Sequence, residues 1–178
     1  MNANANFITD SIGYGAWAGS LANRYVNLIQ AATTKVILST SGSGDYSQQW
    51  LNKIANMKFL NAKYNLLGTL NDYRFGVSEA TFQANYISFC NQLRSVRRKI
   101  VHLIPPASNT VNCSPVETFV MNEASFTNDT KINLFTVTRN GGATTINPSL
   151  DSGDGEHYNA AGHLVIKNEI VNVLPDII

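Results

Sequence analysis

Five short apolar runs, each followed by a longer segment of helical period, constrain the fold of this chain more than any other feature. The runs are residues 6–9, 35–41, 63–67, 100–104 and 132–137. Each is nearly continuous in apolar residues or rich in β-branched ones, the pattern of strands covered on both faces. Helical segments fall at 17–31, 47–56, 78–99, 115–126 and 160–174. The third carries Phe82, Tyr86, Phe89 and Leu93 at spacings of three and four, which makes one core-facing stripe. Five strands, each followed by a helix, predict an α/β fold with a parallel sheet, helices on both faces and right-handed crossovers. Such sheets bind ligands beyond the carboxyl ends of their strands.

At 178 residues the chain reads as a single domain, 1–178, large enough to bury a full core without staples. Its two cysteines, Cys90 in a helical segment and Cys113 in a loop, form no CxxC pair and no metal-ligand spacing. A net charge of +1 with 14% charged residues gives no electrostatic case for nucleic acid or an anionic membrane. The one basic cluster, Arg94, Arg97, Arg98 and Lys99, reads as the solvated end of the third helix, where cations complement the helix dipole. No apolar run approaches the roughly 20 residues of a membrane span. The opening MNANAN has neither the basic nor the apolar region of a secretory signal. Asn, Ser and Thr take the place of charge, a balance that suits an extracellular or virion-surface protein. The stretch PPASNTVNCSP (105–115) reads as a surface loop.

The carboxyl ends of the predicted strands carry the chemistry. After the first comes Thr9-Asp10-Ser11-Ile12-Gly13, in which Ser11 is either a nucleophile or a helix cap. The GxSxG elbow is absent, because Thr9 stands where its first Gly would be. After the second, Gly42 and Gly44 either make a turn or present an N–H to a ligand. After the third, Asn71 offers an amide donor, while Asp72 suits a cap of the next turn. After the fifth, Asp154 and His157 stand three apart, so one turn brings the carboxylate against one imidazole nitrogen and leaves the other free. Hydroxyl, Gly N–H, Asn amide and Asp/His pair thus share one sheet edge, and nucleophilic acyl transfer requires that inventory.

These residues resemble the motif blocks of the SGNH hydrolases, the GDSL esterases and lipases. Thr9-Asp10-Ser11 resembles the family's Gly-Asp-Ser block, and Ser43-Gly44-Asp45 is similar to its second block, a single Gly after the second strand. Residues 68–72 resemble Gly-x-Asn-Asp. Residues 154–163 resemble Asp-x-x-His followed by Asn-x-x-Gly-His, with Tyr158 where Pro is usual. Two departures are Thr9 in place of Gly and the extra residue Leu70 in the third block. The resemblance implies a three-layer α/β/α sandwich with the flavodoxin-like strand order 2-1-3-4-5. It further implies an ester hydrolase without cofactor, using Ser11 as nucleophile, His157 as base and Asp154 as its orienting carboxylate. The oxyanion would be held by the N–H of Ser11, the N–H of Gly44 and the Asn71 amide, with His163 in a supporting role.

The expected substrate is a short-chain ester, above all an O-acetyl group on a carbohydrate. The loops are short, and no apolar lid segment is visible. Tyr46, Trp50 and Tyr73 are the candidate substrate contacts, with Trp17 also near the rim. His102, flanked by Val101 and Leu103 inside a strand, reads as structural. No metal site is predicted, since no ligand cluster surrounds the histidines. The alternatives are a lysophospholipase or thioesterase, or a glycan-binding module of the same fold in a surface or phage tail protein.

Overall fold

The computed structural model describes residues 3–57, 62–96 and 99–178. The strands are β1 (Ala3–Thr9), β2 (Ile37–Ser39), β3 (Ala62–Gly68), β4 (Lys99–Ile104) and β5 (Thr130–Asn133). All pairings are parallel, and the order is β2-β1-β3-β4-β5. The helices are α1 (Ser11–Tyr14), α2 (Tyr25–Ala31), α3 (Ser47–Met57), α4 (Asn71–Arg74), α5 (Glu79–Ser95), α6 (Ser114–Asn122), α7 (Leu134–Thr138) and α8 (Ala160–Val173).

Helices α3, α5 and α6 cover one face of the sheet, and α2, α7 and α8 cover the other. The first face is strongly aromatic. Trp50 packs on Tyr86 and Phe89, while Phe82 and Phe119 meet edge to face. On the opposite face Phe7 of β1 meets Tyr25 of α2 edge to face. Phe7 and Ile8 are neighbours on one strand, point to opposite faces and are both fully buried. That double burial is why the central strands read as continuous apolar runs.

The expected fifth strand, 132–137, is two elements. Past Asn133 the chain coils into α7, whose first turn is capped by Asn133 accepting from the Thr136 N–H at 3.1 Å. The reason lies in the neighbouring strand. Ile104 pairs with Asn133, and Pro105 and Pro106 follow, so β4 has no further N–H to offer a longer partner. The expected helix 17–31 is also shorter, since Gly15, Trp17 and Gly19 all have positive φ and delay the helix to Tyr25. The third helix begins with a Ser78 cap and ends at Ser95, and Lys99 belongs to β4. Arg94 is not free in solvent but pairs with Asp129, while Arg97 and Arg98 lie outside the described residues. Both cysteines are free thiols and buried.

Candidate active site

The turn after β1 shows why Ser11 is available. Asp10, not Ser11, is the cap of α1: its Oδ1 accepts the Ile12 N–H at 3.0 Å. Its Oδ2 accepts the Leu70 N–H at 3.2 Å, tying this turn to the one after β3. Burial pushes the Asp10 carboxyl up from its ordinary value, against the lowering effect of those donors. Ser11 is therefore the first helical residue, its N–H without a helical partner by position and its hydroxyl free to point outward.

Thr9, which replaces a glycine in the resembling motif, is accommodated by two neighbours. Its hydroxyl bonds Ser41 Oγ at 2.7 Å. Gly13 supplies the space, because a Cβ there would stand 1.6 Å from Thr9 Oγ1.

The loop between α7 and α8 delivers the second half of the site. Asp151 Oδ1 accepts the N–H groups of Gly153 and Gly155 at 2.8 and 3.1 Å, shaping a turn in which both glycines have positive φ. Inside that turn Asp154 Oδ1 accepts the N–H groups of Glu156 and His157 at 2.9 and 2.8 Å. Asp154 Oδ2 lies 2.7 Å from His157 Nδ1. Burial opposes the charge on Asp154, but these hydrogen bonds outweigh it and hold the carboxyl well below its usual range. An ionised carboxylate only accepts, so His157 Nδ1 carries the proton and Nε2 is the acceptor. Ser11 Oγ stands 3.0 Å from that Nε2.

Tyr158 occupies the position of the motif's usual proline. It is fully buried, and its hydroxyl donates to the Ala107 carbonyl. Its ring lies where a Cβ on Gly162 would be, 2.5 Å from Cδ1, so Tyr158 and Gly162 fit each other. Asn159 caps α8 through the Gly162 N–H at 3.0 Å.

The turn after β3 is locked to the turn after β2. The Asn71 amide and the Thr69 hydroxyl both donate to the Asp45 carbonyl, at 3.0 and 2.9 Å. Asp72 does not cap its own turn but accepts the Ser47 N–H at 2.9 Å, at the start of α3. Leu70, the extra residue, is absorbed by donating its N–H to Asp10. One Asn71 amide hydrogen is engaged by Asp45, which leaves the second for a ligand. Ser11, Asn71 and His157 line one cleft together with Arg74, Ser108 and Glu156. Gly44 has φ +78° and is half-buried beside Asp45, but it is not among the residues lining this cleft.

The aromatic candidates divide. Trp50 is fully buried in the aromatic face of the core and reaches no ligand, a correction to its expected substrate contact. The signal was present: Trp50 and Ile54 stand four apart on the buried side of α3. Tyr46 is half-buried with its edge against the exposed Phe75, at 5.7 Å between centroids. Tyr73 packs on Phe82 and lines a groove beside the cleft with Arg74, Thr110 and Glu156. The sequence did not mark the Arg74–Glu156 ion pair, 2.7 Å, which borders both cleft and groove. The pair closes between distant segments and has no local signature. Trp17 is 66% exposed, with its ring centroid 6.2 Å from that of His157.

His163 is fully buried, stacked on Tyr25, with Nδ1 3.4 Å from the Tyr25 N–H, and burial lowers it to about 4. His102 is likewise buried. Among the described residues no three His, Cys, Asp or Glu side chains gather in a metal-binding arrangement. No described helix is long and apolar enough to cross a membrane.

No protein-family model matches the chain, and no curated protein sequence matches it. Solved structures do. A member of the lipolytic protein G-D-S-L family from Veillonella parvula superimposes with a TM-score of 0.80 at 14% identity, over 97% of this chain and 98% of that one. A GDSL-like lipase from Bacteroides thetaiotaomicron gives a TM-score of 0.79 at 15% identity, covering 98% and 89%. A catalytic mutant of an acetylxylan esterase from Geobacillus stearothermophilus gives 0.74 at 14% identity, covering 98% and 95%. The likeness spans nearly the whole of each chain and establishes the architecture as a three-layer α/β/α sandwich on a parallel sheet of order 2-1-3-4-5.

Proposed function

We propose that this protein is a serine carboxylic-ester hydrolase for short acyl chains, and that its substrate is an O-acetylated carbohydrate. The observation that carries the reading is the relay from Ser11 Oγ to His157 Nε2, 3.0 Å, and from His157 Nδ1 to Asp154 Oδ2, 2.7 Å. Ser11 Oγ attacks the ester carbonyl carbon as its proton passes to His157 Nε2. The Asp154 carboxylate keeps the imidazole in the right tautomer and stabilises the imidazolium. The tetrahedral oxyanion is held by the Ser11 N–H and the free Asn71 amide hydrogen. Collapse breaks the bond to the alcohol, which leaves with the proton from His157. A water then attacks the acyl-Ser11 by the same proton path in reverse, releasing the acid and restoring Ser11.

The acetyl preference is supported by the cleft's lining, in which Ile12, Leu70 and Val111 offer a small apolar patch among Arg74, Ser108, Asn71 and Glu156. A long acyl chain needs apolar surface, worth about 25 cal/mol per Å² removed from water. The fold is also shared with an acetylxylan esterase. The test is the purified chain assayed with small chromogenic acetate, butyrate and octanoate esters and an acetylated saccharide, with and without a serine-directed inhibitor. Acetate turnover that falls steeply with chain length, saccharide deacetylation and loss of both on inhibition are expected. Faster octanoate turnover would move the substrate to lipids. No turnover and no inhibitor adduct would leave a glycan-binding module.

A further inference from the structure

Trp17 is, among the described residues, the one non-glycine residue with a positive φ, 64°. For a bulky side chain that conformation is an outlier, and such outliers persist only where surrounding structure enforces them. Here it does. The Ala16 N–H donates to the Ser11 carbonyl at 2.9 Å, the Asn23 amide donates to the Ala18 carbonyl at 3.1 Å, and Ala18 is buried. The turn is therefore clamped on both sides of Trp17, starting from the nucleophile itself. Yet the ring so held is 66% exposed and adds little to the core. Its aromatic neighbour is the His157 ring, at 6.2 Å and 44°.

The position relative to the chemistry says what such a ring would meet. The leaving oxygen of an ester must come within hydrogen-bond reach of His157 Nε2, because that nitrogen returns the proton to it. The carbonyl oxygen instead turns to the donors of the turns after β1 and β3. The body of the alcohol thus lies on the His157 side, where Trp17 stands. We propose that Trp17 is a specificity-determining platform for the leaving alcohol, and that this alcohol is cyclic with a flat C–H face, as in a pyranose. The inference rests on the ester-hydrolase reading and deepens it. A flat indole presents a large apolar face with a polar N–H at its edge, which suits a ring that is apolar on its face and polar on its rim.

The test compares wild type with Trp17→Gly, Trp17→Phe and Trp17→Leu, using an acetylated monosaccharide and ethyl acetate in a pH-stat. The readout is the ratio of kcat/KM for the two esters. Trp17→Gly, which suits the positive φ, is expected to lower that ratio at least tenfold, through KM for the saccharide. Trp17→Phe is expected to keep most of the ratio, and Trp17→Leu, apolar without a flat face, to lose it. A ratio within twofold of wild type in Trp17→Gly would overturn the proposal, as would a ratio in Trp17→Leu equal to that in Trp17→Phe. If wild type hydrolyses neither ester, the hydrolase reading fails on its own, and calorimetric titration with the acetylated monosaccharide decides the platform. Binding lost in Trp17→Gly supports it, and binding equal in the two proteins, or absent from wild type, overturns it.

Discussion

Two histidine–aspartate pairs sit on this fold, and their difference teaches what makes one of them a candidate for catalysis. His157 bonds Asp154 at 2.7 Å, and His102 bonds Asp129 at 2.9 Å. The pairs themselves are nearly alike. What differs is the second ring nitrogen. That of His157 faces the Ser11 hydroxyl in an open cleft, whereas that of His102 faces the Tyr86 hydroxyl, 3.1 Å away, in the aromatic core. His102 has no exposed surface and lies 4.2 Å from the Phe126 ring. Burial lowers its pKa despite Asp129, and Arg94 takes a share of the Asp129 charge. A His–Asp pair is thus a common way to fix an imidazole. Only an accessible partner on the far nitrogen gives it chemistry to do.

The largest test of that contrast exchanges the two histidines' fates. His157→Ala is expected to lower kcat/KM for a small acetate ester by at least about 10⁴-fold while leaving Tm within about 2 °C. His102→Ala is expected to do the opposite. It leaves the buried Tyr86 hydroxyl with only the Leu67 carbonyl, 3.4 Å away, and opens a cavity, costing about 2–4 kcal/mol of stability, while kcat/KM stays within about threefold. Equal loss of activity in both, with stability unchanged, would break the comparison.

A smaller effect is expected at the oxyanion. Asn71→Ala removes one donor, about 3 kcal/mol of transition-state stabilisation, so kcat should fall roughly 10²-fold with KM little changed. A rise in KM alone would assign Asn71 to ground-state binding. Because Asn71 also ties the turn after β3 to the Asp45 carbonyl, the thermal midpoint should be recorded for the same variant.

Smaller still is a pH effect on stability from a third histidine. The folded value of His163 is lowered by burial to about 4, below the ordinary imidazole value near 6.5. The unfolded chain therefore binds the proton first on acidification. His163 makes its full contribution above about pH 6.5 and loses it as the pH falls toward about 4, roughly 2 kcal/mol between pH 7.5 and 5. Chemical denaturation of wild type should weaken more over that interval than that of His163→Phe, which keeps a ring against Tyr25. Parallel curves would show that His163 takes up its proton in the fold.

The sheet and the placement of Ser11, Asn71, Asp154 and His157 after its strands were legible in the sequence. Buried parallel strands are apolar almost without interruption, and the turns that follow them carry their functional residues close together in the chain. What could not be read was decided between distant segments. Thr136 and Val137 have strand propensity, but Pro105 and Pro106 end the neighbouring strand and release that stretch into α7. Trp50 reads as a substrate contact near the rim, but tertiary packing against Tyr86 and Phe89 turns it inward. Thr9 departs from the motif's Gly, and its hydroxyl fills the space left by Gly13. That Ser11 is not the cap depends on its neighbour, since Asp10 takes the capping role.

The most direct test of the account is a double-mutant cycle on Ser11 and His157. Groups that act as one relay are grossly non-additive, since removing either disables both. Ser11→Ala, His157→Ala and the double variant should each lose kcat/KM for a small acetate ester by a similar factor of at least about 10⁴, with folded stability retained in all three. Retention of most of the wild-type rate in Ser11→Ala, or losses that multiply in the double variant, would contradict it.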